Sequence, residues 1–154
     1  MVRALLFDFS RVLLFPKDKI YKGGLNELNN RLRVSSNYQF FDHFELNMEL
    51  LDHLEKIKSR LPIYMFTMET IQGSPEIREQ IQEVFSKVFS AMKMGVEKSD
   101  PESYKIIARD LGVDPSEIFY TDDKKENVDA AKSAGCRAVQ FENNGQLISE
   151  LQKI

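Results

Sequence analysis

The chain has 154 residues, 42% of them hydrophobic and 29% charged, with a formal net charge of -3 and a pI of about 5.5. That length fits one globular domain with a sizeable core and room for a small insertion, and the acidic balance argues against nucleic acid as the main partner. No apolar run approaches the ~20 residues needed to span a bilayer, and the N-terminal apolar run is short and lacks a small-residue cleavage site, so a cytoplasmic protein without membrane contact is expected.

In chain order, Val2 to Phe7 reads as a buried strand, and Val12-Leu13-Leu14-Phe15 as a short apolar segment ended by Pro16. Residues 17–45 are more polar, with turn signals at Gly23-Gly24 and Ser35-Ser36-Asn37. Leu25, Leu28 and Leu32 recur at helical spacing and an aromatic group (Tyr38, Phe40, Phe41, Phe44) follows. This stretch predicts one or two small helices inserted into a larger domain made of residues 1–16 and 46–154. Asn47 is a suitable N-cap for a helix to about Arg60 that carries Leu50, Leu51, Leu54 and Ile57. Pro62 starts a strand that ends at Thr67. Ser74-Pro75-Glu76 predicts a helix start, with Ile77, Ile81 and Phe85 on one face. Lys87 to Ser90 is a short strand, and Asp100-Pro101-Glu102 opens a helix that Gly112 stops. Ile118 to Thr121 is a strand, Glu126 to Ala134 a helix, Arg137 to Phe141 a strand and Gln146 to Ile154 a last helix. Strands that alternate with helices predict a doubly wound, Rossmann-like parallel α/β sheet, with the small helical insertion after its first strand.

Three of the apolar strands end in polar groups: Asp8, Thr67 and Asp122-Asp123. Open α/β sheets bind ligands beyond the carboxyl ends of their strands, so these residues are expected to meet at one site. Carboxylates gathered there repel unless a cation joins them, and an oxygen-rich site of this kind suits Mg²⁺. Taken singly, each residue has a plainer role. Asp8 could cap a turn, Thr67 could be an ordinary β-branched strand residue, Lys98 could be solvated, and Asp122-Asp123 could cap the next helix. Lys17-Asp18-Lys19 and Lys124-Lys125 read as solvated faces, His43 and His53 as structural, and the single Cys136 as a reduced buried thiol.

The ordered segments Leu5-Leu6-Phe7-Asp8-Phe9-Ser10-Arg11-Val12-Leu13, Ile63-Tyr64-Met65-Phe66-Thr67, Gly95-Val96-Glu97-Lys98-Ser99-Asp100-Pro101-Glu102 and Ile118-Phe119-Tyr120-Thr121-Asp122-Asp123 resemble the motifs of the haloacid dehalogenase (HAD) superfamily of aspartate-nucleophile phosphohydrolases. The resemblance covers nearly the whole chain outside residues 17–45. It implies that Asp8 is a nucleophile, that Thr67 and Lys98 bind the transferred phosphoryl group, and that Mg²⁺ is held by Asp8, the backbone carbonyl of Ser10 and Asp123. Asp122 would hold a metal-bound water or orient its neighbours, and Asn127 would support it. The implied substrate is a small phosphorylated metabolite, with oligomeric state left open. Residues 17–45 stand where the family has its helical cap, here a short one, with Tyr21, Lys22 and Arg31 as candidate contacts.

The pattern also departs from the family. Ser10 stands where its phosphatases carry a second Asp as general acid and base, a function worth about 10²–10⁴-fold in rate. Slow turnover is therefore one expectation, and a catalytically weakened HAD-fold binding or regulatory module is the alternative. Met68 replaces a common Asn, Ser99 replaces a common Pro in a way that could loosen the loop holding Lys98, and the dehalogenase branch is disfavoured because its tyrosine is absent at position 10. Arg11 has two readings, a substrate contact or a residue that only covers the surface of the flap. A response-regulator receiver fits poorly, because its acidic pair belongs on the first strand.

Overall fold

In the computed structural model of the protein, residues 1–68 and 70–154 are described. The chain forms β1 (Ala4–Phe7), β2 (Leu14–Pro16), α1 (Leu25–Leu32), α2 (Phe40–His43), β3 (Phe44–Leu46), α3 (Met48–Ile57) and β4 (Ile63–Thr67). It continues with α4 (Arg78–Val84), β5 (Lys87–Ser90), α5 (Ala91–Met94), α6 (Pro101–Leu111), β6 (Ile118–Asp122), α7 (Lys125–Ser133), β7 (Arg137–Gln140) and α8 (Asn144–Leu151). Five strands make one parallel sheet in the order β5-β4-β1-β6-β7, as the alternation of strands and helices predicts. No helix among the described residues is long and apolar enough to cross a membrane.

Successive residues of β1 point to opposite faces of the sheet, and both faces are covered. Leu5 and Phe7 join Leu50 and Leu54 of α3, Ile81 of α4 and Leu147 of α8 in one core. Ala4 and Leu6 join Tyr104 and Ile107 of α6 and Val128 and Ala131 of α7 in the other. A strand buried on both sides reads as a continuous apolar run, which is why Ala4-Leu5-Leu6-Phe7 does not alternate with polar residues. Several helix ends follow from local chemistry. The Asn47 side chain accepts from Leu50 N at the start of α3, Asp100 accepts from Glu102 N at the start of α6, and Gly112 ends α6 with φ 67°.

Residues 17–45 supply both small helices, but their apolar side chains do not form a separate core. Leu25, Leu28, Phe40 and Phe44 pack into the same cluster as Leu5 and Phe7. The structure adds a strand pairing here and differs from the sequence expectation at one place farther along the chain. Pro16 is the last residue of β2, as the sequence predicts, and it pairs with Phe44 of β3 in a two-stranded antiparallel sheet. Pro is tolerated at such a sheet edge, where its missing N–H costs no ladder bond. That difference lies at Ser74-Pro75, which begins a turn rather than α4. The amides of Ile77 and Arg78 both donate to Ser74 O, and the helix itself starts at Arg78.

Candidate active site

The strand order puts β1 between β4 and β6, so three neighbouring carboxyl ends face one edge. Phe7 is in register with Met65 of β4 and Thr121 of β6, and Asp8 N donates to Thr121 O at 2.9 Å. Asp8, Thr67, Asp122 and Asp123 are brought together as the sequence predicts. Carboxylate oxygens of Asp8, Asp122 and Asp123 all lie within 4.8 Å of one another.

Lys98 reaches this cluster from the loop between α5 and α6. Its ammonium donates to Asp8 Oδ1 at 2.6 Å and lies 2.7 Å from Asp122 Oδ2. It is 4% exposed, and a lysine so buried requires partners of opposite charge. The ammonium also sits 5.5 Å from the Phe66 ring centroid, within cation–π range. Ser99 does not leave this loop loose. Ser103 Oγ donates to Glu97 O at 2.6 Å and the Tyr104 hydroxyl to Lys98 O at 2.7 Å, fixing the backbone on both sides of the Lys98 side chain's root.

The charges respond to this crowding in opposite directions. Burial raises the Asp8 carboxyl to about 7, helped by the neighbouring Asp122 and opposed by Lys98. Burial also pushes Asp122 up, but the Lys98 ammonium together with the hydrogen bonds from Tyr120 and Lys124 N outweighs it and holds that carboxyl below its ordinary range. Asp123 is raised by burial and by Asp122. Burial lowers Lys98, yet its two carboxylate partners more than offset this and its pKa lies above normal. Replacing Lys98 with Met should therefore leave carboxylates facing one another with no cation. In chelator at pH 8, urea unfolding is expected to show a loss of about 3–5 kcal/mol. An unchanged midpoint would mean that the ion pairs carry no stability.

Asp122 is fully occupied as an orienting group. Its Oδ1 accepts from Lys124 N at 2.8 Å, and its Oδ2 accepts from Asn127 Nδ2 at 3.0 Å and from the Tyr120 hydroxyl. Tyr104 and Tyr120 are therefore part of the support for the site. Lys124 is exposed, as expected of a solvated residue, and also lines the site cavity. That cavity holds about 410 Å³ and is bounded by Asp8, Ser10, Arg11, Lys22, Thr67, Met68, Lys98, Asp123, Lys124 and Asn127 among others. The nearby Lys125 pairs with Asp129 on the helix surface, and no spacing rule separates the two lysines in advance. His43 stacks on Tyr38, and Cys136 is buried, both outside the cavity. Arg31 is also absent from the cavity lining.

The donor set is made of carboxylate oxygens with one buried lysine beside them. Hard divalent cations take oxygen ligands, so these residues fit Mg²⁺ and fit a thiol- or imidazole-seeking metal poorly.

The haloacid dehalogenase-like hydrolase family model matches residues 3–135. An enolase-phosphatase E1 of Aquifex aeolicus is 30% identical over 103 residues, covering 61% of this chain and 45% of that protein. A phosphorylated carbohydrates phosphatase of Thermotoga maritima is 27% identical over 123 residues, covering 77% of this chain and 56% of that protein. The chain thus spans about half the length of the curated relatives it matches. Among solved structures, a HAD-family enzyme of Bacteroides thetaiotaomicron in complex with magnesium and inorganic phosphate shares the fold. Its TM-score is 0.70 at 18% identity, with 96% of this chain and 99% of that one covered. With the family model spanning all four motifs and the carboxylates converging at the sheet edge, the chain belongs to the haloacid dehalogenase-like hydrolase family.

Proposed function

We propose that this chain is a Mg²⁺-dependent phosphomonoester phosphatase that acts on a small phosphorylated metabolite through an aspartyl phosphate at Asp8. The observation that carries this reading is the meeting of Asp8, Asp123 and Lys98 in one cavity at the carboxyl edge of the sheet, with the buried Asp122 paired to Lys98 behind them. The phosphatase names of the matched relatives support the reaction class.

In this reading an Asp8 carboxylate oxygen attacks phosphorus as the ester P–O bond breaks, and the alcohol departs. Water then attacks the phosphoryl group, frees inorganic phosphate and restores the Asp8 carboxylate. Lys98 and the Thr67 hydroxyl hold the phosphoryl oxygens, and positioning of this kind is most of what phosphoryl transfer requires. Asp8, Asp123 and the Ser10 carbonyl would hold Mg²⁺, which when bound offsets the negative charge of the phosphoryl group. Asp122, kept in place by Tyr120 and Asn127, sets the positions of Lys98 and the loop that follows β6. The Ser10 hydroxyl is too weak an acid to protonate the leaving group, so turnover is slow and protons come from solvent. Residues 17–45 act as a small cap, and a cavity of about 410 Å³ suits a small metabolite. A cytoplasmic setting belongs to the same reading.

Ser10 also favours a second reading, a HAD-fold module that binds phosphate but does not turn it over. A panel of phosphorylated metabolites with and without Mg²⁺ separates the two. Metal-dependent phosphate release that disappears in Asp8→Asn supports the phosphatase. Binding of Mg²⁺ and beryllofluoride without release from any compound supports the module.

A further inference from the structure

Arg11 is the one non-glycine residue at positive φ among the described residues, with φ 62°. It sits in a tight turn in which Arg11 N donates to Leu14 O at 2.7 Å and Leu13 N to Phe9 O at 2.8 Å. Glycine suits such a left-handed backbone best, and a long side chain held there usually has work to do. The Arg11 guanidinium donates to Gly23 O at 2.8 Å and to Tyr21 O at 3.1 Å, across to the inserted segment.

The receiving loop has its own fastening. The Tyr21 hydroxyl donates to Gly24 O at 3.0 Å, so the carbonyls of residues 21, 23 and 24 are each held by a side chain. The Tyr21 ring folds over Gly23 so closely that a Cβ added there would lie 2.7 Å from Tyr21 Cζ. Lys22, Gly23, Gly24 and Leu25 all line the cavity above Asp8. The turn that follows the nucleophile is thus joined to the cavity roof by a single side chain.

We propose that Arg11 is a positioning residue that clasps the 21–24 loop of the insertion to the turn after β1 and so sets the roof of the substrate cavity. The inference rests on the phosphatase reading for its effect on substrate, though not for the clasp itself. A planar guanidinium with two donors suits two carbonyls on one loop, and an ammonium on a flexible stem replaces it only in part. Arg11 therefore acts on how tightly substrate is held, and the chemistry at Asp8 proceeds without touching it.

Arg11→Gly tests the clasp without straining the backbone, because glycine accepts φ 62° freely. Amides of Ile20 and Tyr21, which donate to Asp18, report the loop in hydrogen exchange. Expected are faster exchange at these amides, an unchanged or higher melting temperature, and KM raised about tenfold, the loss of roughly one charged hydrogen bond, with kcat changed far less. Arg11→Lys should fall between the two proteins in both exchange and KM. Wild-type exchange in Arg11→Gly overturns the proposal, and so does faster exchange with an unchanged KM. The exchange arm needs no turnover, so a wild type that releases no phosphate sinks the phosphatase reading while the clasp is still decided by the loop amides.

Discussion

Asp8→Asn is expected to abolish phosphate release and, in the absence of metal, to make the protein more stable. Loss of a nucleophile costs about 10⁴-fold or more in rate. The stability gain follows from the same carboxylate. Asp8 is ordinarily ionised above 3.8, but burial raises it to about 7 in the folded protein. Between those values the folded chain keeps a proton that the unfolded chain has released, so the wild type loses stability as pH rises through that window. Below 3.8 the difference vanishes, and above 7 it is constant and largest. The variant escapes this loss, and Lys98 keeps Asp122 as a partner at 2.7 Å. A gain of about 1 kcal/mol, or roughly 2–4 °C in melting temperature, is expected at pH 8 in chelator. Thermal melts at pH 4 and pH 8 check the sign: a variant less stable than wild type at pH 8 would mean that Asp8 contributes to the fold more than it strains it.

Ser10→Asp is expected to act in the opposite direction on rate, raising kcat by about 10²-fold or more. Ser10 lines the cavity two residues beyond Asp8, and its backbone is tied by a bridge to Leu14. A carboxyl group there can give a proton to the departing alcohol and later take one from the attacking water. The cost is a further acidic group beside Asp8, Asp122 and Asp123, which like-charge repulsion makes unfavourable without metal. The variant should therefore be faster with Mg²⁺ and less stable without it. Steady-state kinetics beside melts in chelator read both effects. A variant no faster than wild type would show that proton transfer does not limit the reaction.

The sheet was legible because its three central strands, β1, β4 and β6, are short, largely apolar runs bounded by turn or cap residues. The site was legible where it sits on strand ends: Asp8, Thr67, Asp122 and Asp123 each follow a buried run, and parallel pairing places such ends together. Lys98 could be placed only through the family resemblance, because a lysine in a loop has no periodicity to show that it turns inward. The roles of Tyr104 and Tyr120 escaped for a related reason. Which way a hydroxyl points is set by packing between α6, β6 and α7, and sequence spacing is silent on it. The pairing of β2 with β3 was hidden because three residues, one of them Pro16, give too short a pattern for either period. Arg11 could not be decided from sequence, since its role lies in reaching carbonyls 10 and 12 residues away.

A structure determined with Mg²⁺ and beryllofluoride tests the joint role of Asp8 and Asp123 most directly. The account expects a beryllium centre bonded to the Asp8 carboxylate, one metal ion shared by Asp8 and Asp123, and Lys98 turned toward the fluorides. A metal ion bound elsewhere, or beryllofluoride absent from Asp8 under saturating conditions, would contradict it.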